Sequence, residues 1–122
     1  MLRVGIVMMG MMVMGAGVAY GQEYPIKPVR IVAGDPGGAG DFAARLIAQG
    51  TSVTLGQQVI VDNRGNSTGA VVARALPDGY TVLCDSGGFW ISPFIQKMPY
   101  DVLKDFTPLG MLTLSPNVLV VY

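Results

Sequence analysis

Apolar residues run almost unbroken from Val4 to Val18, and after Gly21 they fall into short blocks separated by glycine and proline. The first such block, Val29–Ala33, is the kind of apolar pentad that a parallel strand buried on both faces requires. Pro25 and Pro28 bias the residues before them away from helix, so Glu23–Pro28 reads as an extended lead-in. Gly34–Gly40 is a glycine-rich turn. From Asp41 to about Leu55, Phe42, Leu46, Ile47 and Val53 recur on one side at helical spacing. Asp41 favours the positive N-terminal end of that helix, and Gly56 suits its stop. Gly50, Thr51 and Val53 weaken the second half, which is expected to fray.

The pattern then repeats. Gln58–Asp62 is a second strand, Asn63–Thr68 a polar loop, and Gly69–Leu76 a short helix closed by Pro77-Asp78-Gly79. Tyr80–Cys84 is a third strand, and Asp85-Ser86-Gly87-Gly88 a second glycine-containing turn. Phe89–Gln96 has room for a helical turn or two. Met98–Phe106 reads as loop, with Thr107–Thr113 and Asn117–Tyr122 as the last strands. Strands alternating with helices predict an α/β fold with a mostly parallel sheet flanked by helices.

The leading apolar stretch changes the picture of where this fold works. Arg3 supplies a short positive start, and Gly17, Ala19 and Gly21 stand where a leader is cleaved. Residues 1–21 therefore read as a signal peptide, and residues 22–122 as an exported, periplasmic domain. A membrane anchor needs roughly 20 apolar residues, whereas this stretch is shorter and interrupted by glycine. The final block ends apolar, with no turn or polar tail, so 22–122 is expected to be a truncated N-terminal α/β domain. Removing Arg3 from the eight basic residues leaves seven against eight acidic ones, a balance without grip on nucleic acid or anionic membrane. Cys84 is the single cysteine, which precludes an internal disulfide. It sits in an apolar run and reads as a small buried side chain.

The catalytic inventory is poor. There is no histidine, so Ser-His, Cys-His and histidine–metal sites are out of reach for this segment. The carboxylates are scattered, and no lysine follows the glycines as in a phosphate loop. These residues favour binding over reaction, without a cofactor.

The two glycine turns carry the remaining chemistry. Pro36-Gly37-Gly38-Ala39-Gly40-Asp41 follows strand one, and Ser86-Gly87-Gly88 follows strand three. Ligands of open α/β sheets sit beyond the carboxyl ends of the strands. If the two strands are neighbours, the turns lie about 5 Å apart at strand level. Backbone N–H groups there, with the helix N-termini, then hold one carboxylate, and the Ser86 hydroxyl adds a donor. The alternative is two tight turns that bind nothing. Asp41 either stabilises its helix start or meets a cationic group on a ligand. Arg64 either meets a ligand anion or pairs with Asp62. Phe89 and Trp90 either wall a pocket or fill the core. A rival pattern is Gly38-Ala39-Gly40-Asp41-Phe42-Ala43, which matches G-x-G-x-x-A, with Asp62 about twenty residues on, as in a dinucleotide-binding enzyme. An export signal opposes that rival.

The ordered set of motifs resembles the Bug (TctC) family, the extracytoplasmic solute-binding receptors of tripartite tricarboxylate transporters. Tyr24-Pro25-Ile26-Lys27-Pro28-Val29-Arg30-Ile31-Val32 is similar to the family's opening strand, and Pro36–Asp41 to its carboxylate loop. Ala44–Gln49, Leu55–Arg64, Pro77–Thr81, Pro99–Asp101, Lys104–Phe106 and Ser115–Val121 follow in the family's order. The resemblance implies the first part of a two-domain, hinge-closing Venus-flytrap receptor. Such a receptor is a monomeric non-enzyme that passes a small carboxylate to transporter membrane subunits. It also implies that Pro36–Asp41 and Ser86–Gly88 grip a ligand carboxylate, that Asn66 and Ser67 belong to a third lining segment, and that Asp41 faces a ligand amino group where there is one. An inert fragment is the other outcome for so short a chain. Asp85 departs from the small or apolar residues usual at its position. Pointing inward, it would oppose an anion.

Overall fold

Four of the five side chains of β1, Val29–Ala33, are buried, as an apolar run in the middle of a sheet demands. The computed structural model describes residues 23–114 and 118–121. The expected leader therefore lies outside the described residues, as do both ends of the last expected strand. After β1 come α1 (Ala39–Leu55), β2 (Val59–Asn63), a 3-10 turn (Gly65–Ser67), α2 (Thr68–Ala73), β3 (Thr81–Cys84) and α3 (Gly87–Ile95). The three strands form one parallel sheet in the order β2-β1-β3. Val29 stands opposite Val59, and Ala33 lies between Asn63 and Cys84. The α/β class, the parallel sheet and the three strand positions agree with the sequence expectation to within a residue or so at each end.

The strand order has a geometric consequence. The chain leaves β1 for β2 on one side, then crosses back to place β3 on the other. Right-handed crossovers put the connecting helices on opposite faces. Val29, Ile31 and Ala33 pack with Ala43, Ala44, Ala48 and Val59 on the α1 face. Val32, on the opposite face by strand alternation, is fully buried. The direction of winding therefore reverses between β1 and β3, which is where ligands enter sheets of this kind.

Helix α1 corrects the sequence expectation twice. The buried face is Ala43, Ala44 and Ala48, while Phe42, Leu46 and Val53 are exposed. Small side chains allow the helix axis to sit close over the sheet, which the larger residues would hold off. The second half, expected to fray, is continuous helix to Leu55. Thr51 and Ser52 turn their hydroxyls back onto the carbonyls of Ile47 and Ala48, each at 2.6 Å. Ser52 also accepts the Val59 N–H at 3.0 Å and so ties the helix to the start of β2. The stop at Gly56, which takes φ of 62°, is as expected.

The tail differs as well. Residues 107–114 and 118–121 form no strand, and Leu109, Met111, Leu114 and Val118–Val121 lie exposed. An apolar run becomes a strand only when it reaches a free sheet edge that can complete its backbone hydrogen bonds. The described residues of this segment pair with neither β2 nor β3. The loop before it is better ordered than its polarity implies. Phe89, Tyr100 and Phe106 pack as an aromatic trio with centroids 5.0–5.7 Å apart. The Asp101 carboxylate accepts the N–H groups of Leu103 and Lys104.

Two glycines separate tight packing from simple propensity. A Cβ on Gly69 would run into the Tyr100 ring, whereas a Cβ on Gly50 would meet nothing within 4 Å. Gly69→Ala is expected to destabilise the chain by about 1–3 kcal/mol through overpacking. Gly50→Ala is expected to stabilise it by about 0.5–1 kcal/mol through helix propensity. Thermal melts that shift in opposite directions would bear out both.

Candidate functional site

The two loops that follow β1 and β3 are neighbours, because the two strands pair in parallel with Ala33 opposite Cys84. A cleft of about 390 Å³ opens over this end of the sheet. Gly38, Ala39, Gly40 and Asp41 line it from the first loop, Ser86 and Gly88 from the second, and Asn66 from the turn after β2. Pro36, Gly37, Ser67 and Gly87, also expected on sequence grounds, are not among its lining residues. Gly37 faces elsewhere because its N–H, at φ of 80°, donates to the Asp41 carboxylate at 2.9 Å.

That carboxylate is the structural clip of the site. Asp41 is only 4% exposed. Arg45, one helical turn on, grips it with both nitrogens, Nε to Oδ2 at 3.0 Å and a terminal nitrogen to Oδ1 at 2.9 Å. Asn63, at the end of β2, donates its amide nitrogen to Oδ1 at 2.9 Å and to the Gly34 carbonyl at 2.8 Å. Arg45 also donates to the Asn63 side-chain oxygen at 3.2 Å. One buried charge thus joins the first loop, α1 and β2. The Arg45 guanidinium, then the Gly37 N–H and the Asn63 amide, hold the Asp41 carboxyl far below the usual carboxylate range against the opposing effect of burial. Both oxygens point at protein donors, so the carboxylate organises the loop.

The loop amides are aimed differently. Gly38 N–H bonds Asp35 O at 3.2 Å, and Phe42 N–H bonds Gly38 O at 3.0 Å. Among the described residues, the N–H groups of Ala39, Gly40 and Asp41 have no acceptor, and no side chain caps α1. At the second loop Phe89 N–H bonds Ser86 O at 3.1 Å, while the N–H groups of Gly87 and Gly88 have no acceptor among the described residues. Two helix N-termini, 17 and 9 residues long, thus present free donors beside one cleft. Free donors at the positive end of a helix dipole are suited to an anion. The helix start packs close against β3, since a Cβ at Gly40 would lie 3.5 Å from the Cys84 carbonyl oxygen. The Cys84 thiol is buried, and burial followed by the nearby Asp85 charge pushes its pKa up.

Other residues around the cleft take positions that no motif announced. Asp85 lies in the cleft wall. Its Oδ2 accepts the Thr68 hydroxyl at 2.5 Å, and its Oδ1 accepts the Ser86 N–H at 2.7 Å. Thr68 is itself buried, which fixes the Asp85 carboxylate against the start of α2. Tyr100 closes another side, its hydroxyl pKa raised by burial and then by Asp85. Its only advance signal was position in a Pro-Tyr-Asp motif; nothing in periodicity placed it here. Phe89 is buried at the cleft floor while Trp90 is half exposed, so the first both walls the pocket and fills the core. Arg64 binds Asp62 at 3.0 Å and Arg30 approaches the same carboxylate at 3.5 Å. Asp62 is thereby held by two guanidinium groups at the point where a ribose-binding acid would have to be free. Among the described residues no group of three His, Cys, Asp or Glu side chains is placed to hold a metal ion.

Comparison with known proteins assigns the family of this loop-and-cleft arrangement. The family model for the tripartite tricarboxylate transporter family receptor, TctC, matches residues 43–122. The chain belongs to this family. It is 35% identical over 122 residues to Protein BugT of Bordetella pertussis, covering 91% of this chain and 37% of that protein. It is 40% identical over 104 residues to a protein from the tcbD–tcbE intergenic region of Pseudomonas sp. strain P51, covering 80% of this chain and 31% of that protein. The chain spans about a third of the length of the curated relatives it matches. Among solved structures it is similar to R. palustris Rpa4515 with adipate, at 38% identity and a TM-score of 0.47, covering 49% of this chain and 22% of that one. It is also similar to periplasmic binding protein BugD, at 43% identity and a TM-score of 0.44, with the same coverage.

The Asp41 clip makes a pH-dependent contribution whose sign is set. Its carboxyl loses its proton at lower pH in the folded chain than in the unfolded one. It therefore adds stability above about pH 4, and that contribution drains away as pH falls further. Asp41→Asn is expected to lower the urea midpoint most near pH 7, with the gap to wild type closing toward pH 2. A gap independent of pH would show that the charge has no part in the clip.

Proposed function

We propose that this chain is the carboxylate-binding part of an exported receptor that delivers a small carboxylated metabolite to transporter membrane subunits. On this reading residues 1–21 are its leader, and residues 22–122 belong to the N-terminal part of its ligand-binding domain. The reading makes it a binding protein without catalytic activity, located in the periplasm. The observation that carries it is the set of free N–H groups at Ala39, Gly40, Asp41, Gly87 and Gly88, on adjacent loops at the switch point between β1 and β3. Hydrogen bonds from such donors to a carboxylate are roughly twice as strong as neutral ones. The ligand carboxylate sits across the two helix N-termini, with the Ser86 hydroxyl and Asn66 at its edge. Pro36, Gly37, Ser67 and Gly87 shape the loops; of these, Gly87 offers its N–H to the ligand.

One substitution separates the amide donors from the fold. Ala39 is the first residue of α1, where proline fits without loss of a helix bond. Gly38 before it has the extended conformation, φ −76° and ψ 168°, that a following proline prefers. Ala39→Pro removes one free donor from a residue that lines the cleft. Calorimetry against a panel of di- and tricarboxylates is expected to show at least about a tenfold weaker affinity with an unchanged melting temperature. No heat from any carboxylate with the wild-type chain would overturn the proposal.

A further inference from the structure

The cleft combines free backbone donors with an acidic wall. Among its described lining residues there is no Lys or Arg, while Asp35, Asp41 and Asp85 are all present. Asp41 is neutralised by Arg45 and directed inward. Asp85 is different. No cationic side chain pairs with it among the described residues, and its two hydrogen bonds come from the Thr68 hydroxyl and the Ser86 N–H. Each bond occupies one lone pair of one oxygen and leaves acceptor capacity on both. Thr68 is 3% exposed, so the carboxylate is anchored from a fixed point. Asp85 is also close to the proposed anion seat. Its Cα lies 4.0 Å from where a Gly40 Cβ would stand, and it directly precedes Ser86, the N-cap of α3. Burial first, and the Asp85 charge second, raise the pKa of the Tyr100 hydroxyl and the Cys84 thiol nearby.

A plain di- or tricarboxylate would place all of its negative charge beside this wall without a balancing cation. A ligand with an ammonium next to its anchored carboxylate would instead satisfy both halves of the cleft. We propose that Asp85 is a specificity-determining residue that selects α-amino carboxylates, its carboxylate accepting the ligand ammonium while the loop amides hold the ligand carboxylate. This rests on the carboxylate-binding reading above. It moves the counter-charge from Asp41, where the family resemblance places it, to Asp85.

Glutamate and glutarate test it, since they differ only by an ammonium group. Calorimetry on the full chain at pH 7 is expected to show glutamate binding at least about tenfold more tightly than glutarate. Asp85→Asn is expected to weaken glutamate and strengthen glutarate, so that the preference collapses. Retained glutarate binding by the variant reports an intact fold. If Asp85→Asn does not fold, Asp85→Ser, whose hydroxyl can still accept from Thr68, reads the same ratio. Tighter binding of glutarate by wild type, or a preference unchanged in either variant, overturns the role of Asp85 and leaves the carboxylate receptor standing. Failure of wild type to bind either compound overturns the role of Asp85, and the carboxylate reading falls with it only if the di- and tricarboxylate panel also gives no heat.

Discussion

The Asp41 carboxylate is the interaction on which the site depends. It is buried, ionised, and bonded to Gly37, Arg45 and Asn63 at 2.9–3.0 Å. Burying a charge is costly unless it is paired and hydrogen-bonded, and here both carboxylate oxygens have protein donors. The bidentate grip of Arg45 supplies the geometry as well as the charge balance, which a lysine would not. Because its partners come from the first loop, the helix and the neighbouring strand, the clip sets how the loop leaves β1. That in turn sets where the amides of Ala39, Gly40 and Asp41 point.

Strand order does the rest. A parallel sheet ordered β2-β1-β3 brings the ends of β1 and β3 together although some fifty residues of chain separate them. Two helices start from those ends, and their dipoles converge on a common space. Free backbone donors at helix N-termini suit an anion without a basic side chain, and the cleft has none among its described lining residues. On the proposed reading the main chain attracts the anion and the acidic residues of the cleft discriminate among anions. The family assignment and the held Asp62 both weigh against the dinucleotide pattern that Gly38–Ala43 also satisfies. A glycine turn between strand and helix is shared by both kinds of site. The state of the acid at the end of β2, paired here rather than free, tells them apart.

Where the sequence misled, the cause lies in packing. In α1 the large apolar residues looked like the buried face, but the sheet takes the alanines because they permit close approach. Helix α1 continues past Gly50 to Leu55, where Ser52 accepts the Val59 N–H and Leu55 packs against the core. The expected strand over Thr107–Thr113 has the right composition but pairs with neither edge strand, β2 or β3. Each error came from judging a segment alone when a neighbour decided it.

Local chemistry was enough to place β1, the glycine turns, the Gly56 helix stop and the α/β alternation. Each depends on residues adjacent in the chain: an apolar pentad, a proline, a left-handed glycine. The sequence also placed a glycine turn after β1 and another after β3. It left open whether β1 and β3 are neighbours, that Gly37 turns its amide to Asp41, that Thr68 fixes Asp85 across the cleft, and that Tyr100 closes it. Those facts join residues from 4 to more than 30 positions apart. They arise only when backbone hydrogen bonds and buried charges from separate segments must be satisfied together, and no pattern read along the chain contains that requirement.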